Sequence, residues 1–139
     1  MNQPAALLAD VSATATADAP RILVVEDDAS IGESLRIRLT LGGYDVVRAG
    51  SVLDACERID SDPPHLVLLD VSIPGGTGFD VAERLRSKPA HRRTPIAFLT
   101  ASQRPEHRAR AERLGDGVRY FTKPFVAREL LRSIEGLLR

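Results

Sequence analysis

The stretch LVLLDVSIPGGTG, residues 66–78, contains an apolar run that ends abruptly on the carboxylate of Asp70. Four consecutive apolar residues, 66–69, are typical of a central strand that is buried on both faces. In an open parallel sheet, ligands bind beyond the carboxyl ends of the strands, so Asp70 is a candidate site residue. The proline and glycines at 74–78 predict a break in regular structure. An Asp that only caps a turn is the alternative, because Asp is common before turns.

Apolar runs and helical patterns alternate along the rest of the chain. Strands are predicted at residues 21–25, 44–49, 96–100 and 118–122, in addition to the one that ends at Asp70. Helices are predicted from Ser30 to the glycines at 42 and 43, from Ser51 through Ile59, from Phe79 to Ser87, from Pro105 towards Leu114, and from Val126 onward. Five strand-helix pairs in strict alternation predict a parallel sheet with helices on both faces.

The composition is that of a single ordinary domain. A chain of 139 residues, 43% of them hydrophobic, can bury a core without disulfides or structural metals. Lys and Arg total 19, as do Asp and Glu, so a net charge of zero gives no electrostatic basis for direct nucleic-acid binding. No apolar stretch has the length of a membrane span, and we expect no membrane insertion. The single cysteine, Cys56, fits a reducing compartment, and we expect it to be a small buried apolar residue.

Residues 1–20 are rich in Ala, Thr and Asp and contain no aromatic side chain, which predicts a disordered leader. A signal peptide would need a basic start and a longer apolar centre, whereas the first basic residue is Arg21. We therefore expect a cytoplasmic protein whose folded domain covers residues 21–139. Because the last predicted helix reaches Arg139, we expect no catalytic or DNA-binding output module.

Four of the five predicted strands end on, or just before, polar side chains. In a parallel sheet their carboxyl ends lie along one edge, which brings together Glu26, Asp27, Asp70, Thr100 and Lys123. Clustered carboxylates repel one another unless a cation neutralises them, and oxygen ligands suit Mg²⁺. A lysine and a hydroxyl supply the positive charge and the donor that a phosphoryl group needs. Each of these residues taken alone could be an ordinary loop or turn residue, but their occurrence together at successive strand ends favours a functional site.

Four motifs resemble the receiver domain of bacterial two-component response regulators. They are VVEDD at 24–28, LLDVSIPGGTG at 68–78, LTAS at 99–102 and YFTKPF at 120–125. The resemblance covers residues 21–139 and implies a flavodoxin-like, CheY-like fold. Such a fold is a doubly wound five-stranded parallel sheet with strand order 2-1-3-4-5 and helices on both faces.

The same resemblance implies a role for individual residues. Asp70 matches the phosphoacceptor, Glu26 and Asp27 match the acidic pair that binds Mg²⁺ with it, and Asp28 is expected to be a bystander. The backbone carbonyl of Ser72 matches a further metal ligand. Thr100 and Lys123 match the residues that contact the phosphoryl group. Thr100 also forms the switch together with Tyr120. The peptide bond before Pro124 is expected to be cis.

The implied function is that of a stand-alone response regulator. A sensor histidine kinase or a histidine phosphotransfer protein would transfer its phosphoryl group to Asp70 in a Mg²⁺-dependent step. Tyr120 would then rotate inward, and the face made by the fourth helix, the fifth strand and the last helix would present a changed surface to a downstream protein. We expect that the chain is not an enzyme for a separate substrate, since the domain would catalyse only its own phosphorylation and dephosphorylation.

Two other functions remain open at this point. The first is a receiver-like interaction module that acts without phosphate, because the loop from Gly115 to Tyr120 carries an apparent extra residue relative to the family. The second is a Mg²⁺-dependent phosphohydrolase, which would need a second acid near the nucleophile, where Ser72 stands instead. The histidines at 65, 91 and 107 show no metal-ligand spacing, and we expect them at surface or turn positions outside the crevice.

Overall fold

Five parallel strands form the central sheet of the computed structural model, which describes residues 18–139. The strands are β1 (Arg21–Val25), β2 (Asp45–Ala49), β3 (Leu66–Leu69), β4 (Ile96–Thr100) and β5 (Val118–Thr122). Their order across the sheet is β2-β1-β3-β4-β5, which confirms the predicted flavodoxin-like topology. Val25 pairs with both Ala49 and Leu69, so the residues that follow β1, β2 and β3 leave the sheet side by side.

Five helices cover the sheet: α1 (Ala29–Leu41), α2 (Val52–Ser61), α3 (Gly78–Arg86), α4 (Pro105–Glu112) and α5 (Ala127–Leu137). Local sequence explains where they begin. Asp28 caps α1 by accepting a hydrogen bond from the Ile31 amide at 3.1 Å, and Ser51 caps α2 in the same way. Asp28, expected to be a bystander, is therefore a helix cap.

The core has two parts, one on each face of the sheet. Leu23, Val67 and Phe98 point to one face, and their neighbours Ile22, Leu66 and Ala97 belong to the cluster on the other. Helices α2, α3 and α4 contribute buried residues to the first cluster, and α1 and α5 to the second. All four residues of β3 are buried, as the continuous apolar run predicts.

The loop after β3 is more regular than the sequence predicts. Ser72–Ile73 and Gly76–Thr77 form a two-stranded antiparallel hairpin, where a break was expected. Gly75 at its turn has a φ of 89°, a conformation that favours glycine. The hairpin is anchored because Pro74 accepts a hydrogen bond from the Val52 amide at 3.0 Å.

Two expectations about single residues hold only in part. His91 lies in the 3₁₀ turn Pro89–His91, as a turn position was expected, but its side chain is buried and its Nδ1 lies 2.8 Å from Thr94 Oγ1. Cys56 is half-exposed, although burial still raises the pKa of its thiol. The predicted leader falls largely in residues 1–17, outside the described residues. From residue 18 onward, every helix is too short or too polar to cross a lipid bilayer.

Candidate functional site

Three carboxylates meet where β1 and β3 end. The side chains of Glu26 and Asp70 are buried, whereas that of Asp27 is exposed to solvent. One carboxylate oxygen from each of Glu26, Asp27 and Asp70 lies within 4.8 Å of the others. The parallel pairing of β1 with β3 causes this approach, because it makes both chains leave the sheet at the same level.

Lys123 bridges the two buried acids. It follows β5, and its Nζ donates to Glu26 Oε1 at 2.7 Å and to Asp70 Oδ2 at 2.9 Å. The side chain of Lys123 is 18% exposed, so this pair of contacts is shielded from water on most sides. A cation held this closely beside the Asp70 carboxylate can also contact an anionic group bound there.

Burial and pairing shift two pKa values at the site. Burial raises the pKa of Glu26, and the hydrogen bonds from Lys123 and the Asp28 amide offset this only in part. Burial by itself would lower the pKa of Lys123, but the hydrogen bonds and charges of Glu26 and Asp70 outweigh it and raise that pKa. The lysine is therefore firmly charged at neutral pH.

The backbone around Asp70 is held tightly. The Ser72 amide donates to Asp70 Oδ1 at 3.1 Å, and the Gly78 amide donates to the Val71 carbonyl at 2.8 Å. A Cβ on Gly78 would overlap the Asp70 carbonyl, so only glycine allows α3 to begin this close to the site. The hairpin after β3 thus fixes the direction in which Asp70 faces the crevice.

Thr100 and Tyr120 are joined through Ser102. Thr100 is fully buried at the end of β4, and its Oγ1 accepts a hydrogen bond from the Ser102 amide at 3.2 Å. Tyr120 on β5 donates its hydroxyl to the Ser102 carbonyl at 2.9 Å. The tyrosine ring packs 5.9 Å from Phe98, and the Arg108 guanidinium lies 4.7 Å from its centroid.

The acidic cluster fits a divalent cation that prefers oxygen ligands. Glu26 and Asp70 each have one oxygen bound to Lys123 and one bound to a backbone amide, while the Asp27 side chain reaches solvent. Three hard anionic ligands on an open face suit Mg²⁺, which keeps several of its waters. The residues that would hold it are those with the three clustered carboxylates.

The structure brings together all the residues that the sequence placed at this edge, and it adds one that the sequence placed elsewhere. His107 lines a pocket of about 560 Å³ beside the acidic cluster, which Asp27 and Ser72 also line. His107 therefore lies nearer to the crevice than expected, because its Nδ1 is 2.6 Å from Oγ of Ser102, two residues beyond Thr100. The sequence gives only part of this position: Pro105 marks the helix start and puts His107 in the first turn, but it does not show what that turn packs against.

The fold and the edge of its sheet define a flavodoxin-like α/β domain with an acidic site at the carboxyl ends of the strands. The chain belongs to the response regulator receiver domain family, whose model matches residues 22–135.

Similar proteins agree with this assignment. The chain is 36% identical over 121 residues to the phosphate regulon transcriptional regulatory protein PhoB of Escherichia coli (strain K12), covering 87% of this chain and 52% of PhoB. It is 40% identical over 119 residues to the response regulator MprA of Mycobacterium ulcerans, covering 86% of this chain and 50% of MprA. The chain thus spans about half the length of these curated relatives.

Solved structures show the same fold. The non-phosphorylated HemR receiver domain from Leptospira biflexa matches with a TM-score of 0.77 at 37% identity, covering 86% of this chain and 94% of that one. A CheY-like receiver domain protein from Methanospirillum hungatei matches with a TM-score of 0.80 at 26% identity, covering 87% and 94%.

Proposed function

We propose that this chain is a stand-alone response regulator that accepts a phosphoryl group on Asp70. The observation that carries the proposal is the contact of Asp70 Oδ2 with Lys123 Nζ at 2.9 Å, at the end of a buried strand beside two further acids. A nucleophilic carboxylate, a fixed cation and a buried hydroxyl at one edge are the groups that phosphoryl transfer requires.

The reaction would transfer a phosphoryl group from a histidine nitrogen of the donor to a carboxylate oxygen of Asp70. A carboxylate oxygen of Asp70 forms a bond to phosphorus while the bond from phosphorus to the histidine nitrogen of the donor breaks, and that nitrogen keeps the electron pair. Lys123 and the Thr100 hydroxyl would contact the equatorial oxygens of the transferring group. Mg²⁺, when bound by Glu26, Asp27, Asp70 and the Ser72 carbonyl, supplies further positive charge against the phosphoryl oxygens.

Loss of the phosphoryl group would follow by hydrolysis. Water attacks phosphorus, the Asp70 carboxylate leaves with the electron pair of its bond to phosphorus, and inorganic phosphate is released. In this proposal the domain catalyses only these two steps on itself and is no enzyme for a separate substrate. A phosphohydrolase acting on other esters would need an acid to protonate the leaving group, and Ser72 occupies the nearby position.

The partners follow from the chemistry. The donor would be a sensor histidine kinase or a histidine phosphotransfer protein in the cytoplasm, and the output would be contact with a downstream protein through α4, β5 and α5. Exposed arginines lie along that face: Arg108 is within α4, Arg104 and Arg113 are at the two caps of α4, and Arg119 is on β5. These guanidinium groups favour a downstream partner with acidic residues at the contact.

A phosphate-independent interaction module is the second candidate. The observation in its favour is that Tyr120 is held by the Ser102 carbonyl and by Arg108, contacts that involve no phosphoryl group. Such a module would keep one surface in all conditions, and its partner would bind equally well with and without a phosphodonor.

The deciding experiment is intact mass spectrometry after incubation with acetyl phosphate and Mg²⁺. We expect one phosphate adduct, which disappears with a chelator and in Asp70→Asn. Asp28→Asn is the matched control, because Asn still caps α1 while one neighbouring carboxylate is lost. Absence of an adduct with acetyl phosphate, phosphoramidate and a phosphorylated phosphotransfer protein would reject the proposal and favour the second candidate.

A further inference from the structure

Ser102 is the junction between the two residues assigned to the switch. Its amide donates to Thr100 Oγ1, and its carbonyl accepts the hydroxyl hydrogen of Tyr120. A displacement of Ser102 therefore changes the surroundings of both residues at once. Among the described residues, Thr100 and Tyr120 form no hydrogen bond with each other. The backbone of Ser102 therefore couples them.

His107 holds this junction from the next helix. Its Nδ1 lies 2.6 Å from Ser102 Oγ, and its ring packs against Phe79 with centroids 5.6 Å apart. Phe79 is fully buried and anchored in the core. The imidazole is thus fixed on one side by the core and fixes the Ser102 side chain on the other. The only other contact of Ser102 Oγ among residues 18–139 is a long one from the Arg104 amide at 3.4 Å.

We propose that His107 is a positioning residue that sets the rate of phosphoryl transfer at Asp70 by holding Ser102, and through it Thr100 and Tyr120. This inference rests on the proposed function. His107 touches neither Asp70 nor Lys123, and its effect passes through the hydrogen bond to Ser102.

The direction of the effect follows from the Thr100 hydroxyl. A hydroxyl has one donor and two acceptor positions, and the Ser102 amide uses one acceptor of Thr100. The hydroxyl hydrogen is therefore left for a phosphoryl oxygen. Because this oxygen carries similar charge during transfer to Asp70 and during hydrolysis, a misplaced Thr100 slows both steps. Loss of the His107 bond should lower both rate constants together.

Two substitutions separate the hydrogen bond from the ring. His107→Phe keeps the stacking on Phe79 and loses Nδ1, and we expect both rate constants to fall about fivefold, the usual effect of one neutral hydrogen bond. His107→Asn loses the ring but keeps a polar atom near the place of Nδ1, and we expect rates close to those of the wild type. Glu112→Gln, at an exposed position on the same helix, is the control and should leave both rates unchanged.

A double-mutant cycle tests the route through Ser102. Ser102→Ala removes Oγ and leaves the backbone amide and carbonyl in place. If His107 acts through that oxygen, the double variant with His107→Phe is no slower than either single variant. Rates that multiply would show that His107 acts by another route and would overturn the proposal.

Fluorine NMR gives a readout that does not need phosphorylation. The chain has two tyrosines, Tyr44 and Tyr120, so 3-fluorotyrosine labelling yields two signals that Tyr44→Phe assigns. In His107→Phe we expect the Tyr120 signal to shift or broaden and the Tyr44 signal to stay, with recovery in His107→Asn. Unchanged Tyr120 signals and wild-type rates in His107→Phe would overturn the inference.

The two proposals fail in different ways. If the wild type takes up no phosphate from any donor, the proposed function is rejected, and the fluorine spectra alone decide whether His107 positions Tyr120. If the wild type is phosphorylated but His107→Phe matches it in rates and spectra, only the role of His107 is rejected.

Discussion

The two edges of the sheet each hold a half-buried cationic side chain, but they satisfy its charge in different ways. At the carboxyl edge, Lys123 lies between the carboxylates of Glu26 and Asp70. At the amino edge, Arg86 at the end of α3 donates to three backbone carbonyls, those of His91, Thr94 and Leu114, at 2.7 to 3.0 Å.

This difference separates the proposed phosphorylation site from a contact that supports the fold. Through these carbonyls Arg86 ties the 3₁₀ turn and the loop before β5 to the end of α3. Burial lowers the pKa of Arg86, but a guanidinium stays charged in any case. Lys123 faces charges that can be shared with an incoming anion and cation, so its contacts can be exchanged during a reaction. We therefore expect the loss of Lys123 to affect chemistry first and the loss of Arg86 to affect stability first.

The largest expected effect is that of Lys123→Met on phosphoryl transfer. Removal of one fixed donor from a developing anionic charge typically slows a reaction by about 100-fold or more. We expect the rate of adduct formation with acetyl phosphate to fall by about that factor, measured by intact mass where circular dichroism shows the native fold.

The chain provides its own control, because Lys88 is the other lysine and pairs with Asp60 away from the crevice. Lys88→Met should react at the wild-type rate. If Lys123→Met reacts as fast as Lys88→Met, Lys123 has no chemical role, and the proposed difference between Lys123 and Arg86 is wrong.

The second effect is that of Arg86→Met on stability. Three carbonyls lose a charged donor, and the free energy of unfolding should fall by about 2 to 4 kcal/mol. Urea titration measures the loss, and the phosphorylation rate of the folded fraction should stay within about twofold of the wild type. Arg84→Met on the same helix removes an exposed side chain that pairs with Asp60, and its loss of stability should be much smaller. Equal losses of unfolding free energy in the two variants would show that the carbonyl contacts of Arg86 do not stabilise the fold.

The smallest effect concerns His91, which adjoins Arg86. Burial, followed by the charges of Lys88, Arg86 and His65, lowers the pKa of His91 below its ordinary value of 6.5. The folded protein therefore binds fewer protons than the unfolded chain below that pH, and the stabilising contribution is complete above it and decreases as pH falls. In His91→Asn this contribution is absent, so the difference in unfolding free energy between wild type and variant should narrow from pH 7.5 to pH 5.5. A constant difference would contradict a neutral buried imidazole.

Much of the fold could be predicted from the sequence because its signals are local. The apolar runs that end at Val25 and Leu69 identify strands buried on both faces, and Gly42 and Gly43 mark the end of α1. The hairpin after β3 was missed because a Pro-Gly-Gly sequence fits a loop equally well. Its formation depends on the contact between Pro74 and the start of α2, which are far apart in sequence.

The residues Glu26, Asp27, Asp70, Thr100 and Lys123 could be predicted as a set, since each lies at the end of a strand or within two residues of it. The additional position of His107 was missed because it depends on how α4 packs on Phe79, a long-range contact. His91 was likewise misjudged, because the turn that buries it is held by Arg86 rather than by its own sequence. Partners fixed by packing leave no periodic pattern along the chain.

The sequence by itself determined the alternation of strands and helices, the strand ends that carry Asp70, Thr100 and Lys123, and the receiver family. These depend on local propensity and on the rule that parallel strands end at one edge. The tertiary structure alone decided that Lys123 contacts Glu26 as well as Asp70, that Ser102 links Thr100 to Tyr120, and that His107 contacts Ser102. The physical reason is that side-chain partners are chosen by distance and packing between elements, which sequence order does not encode.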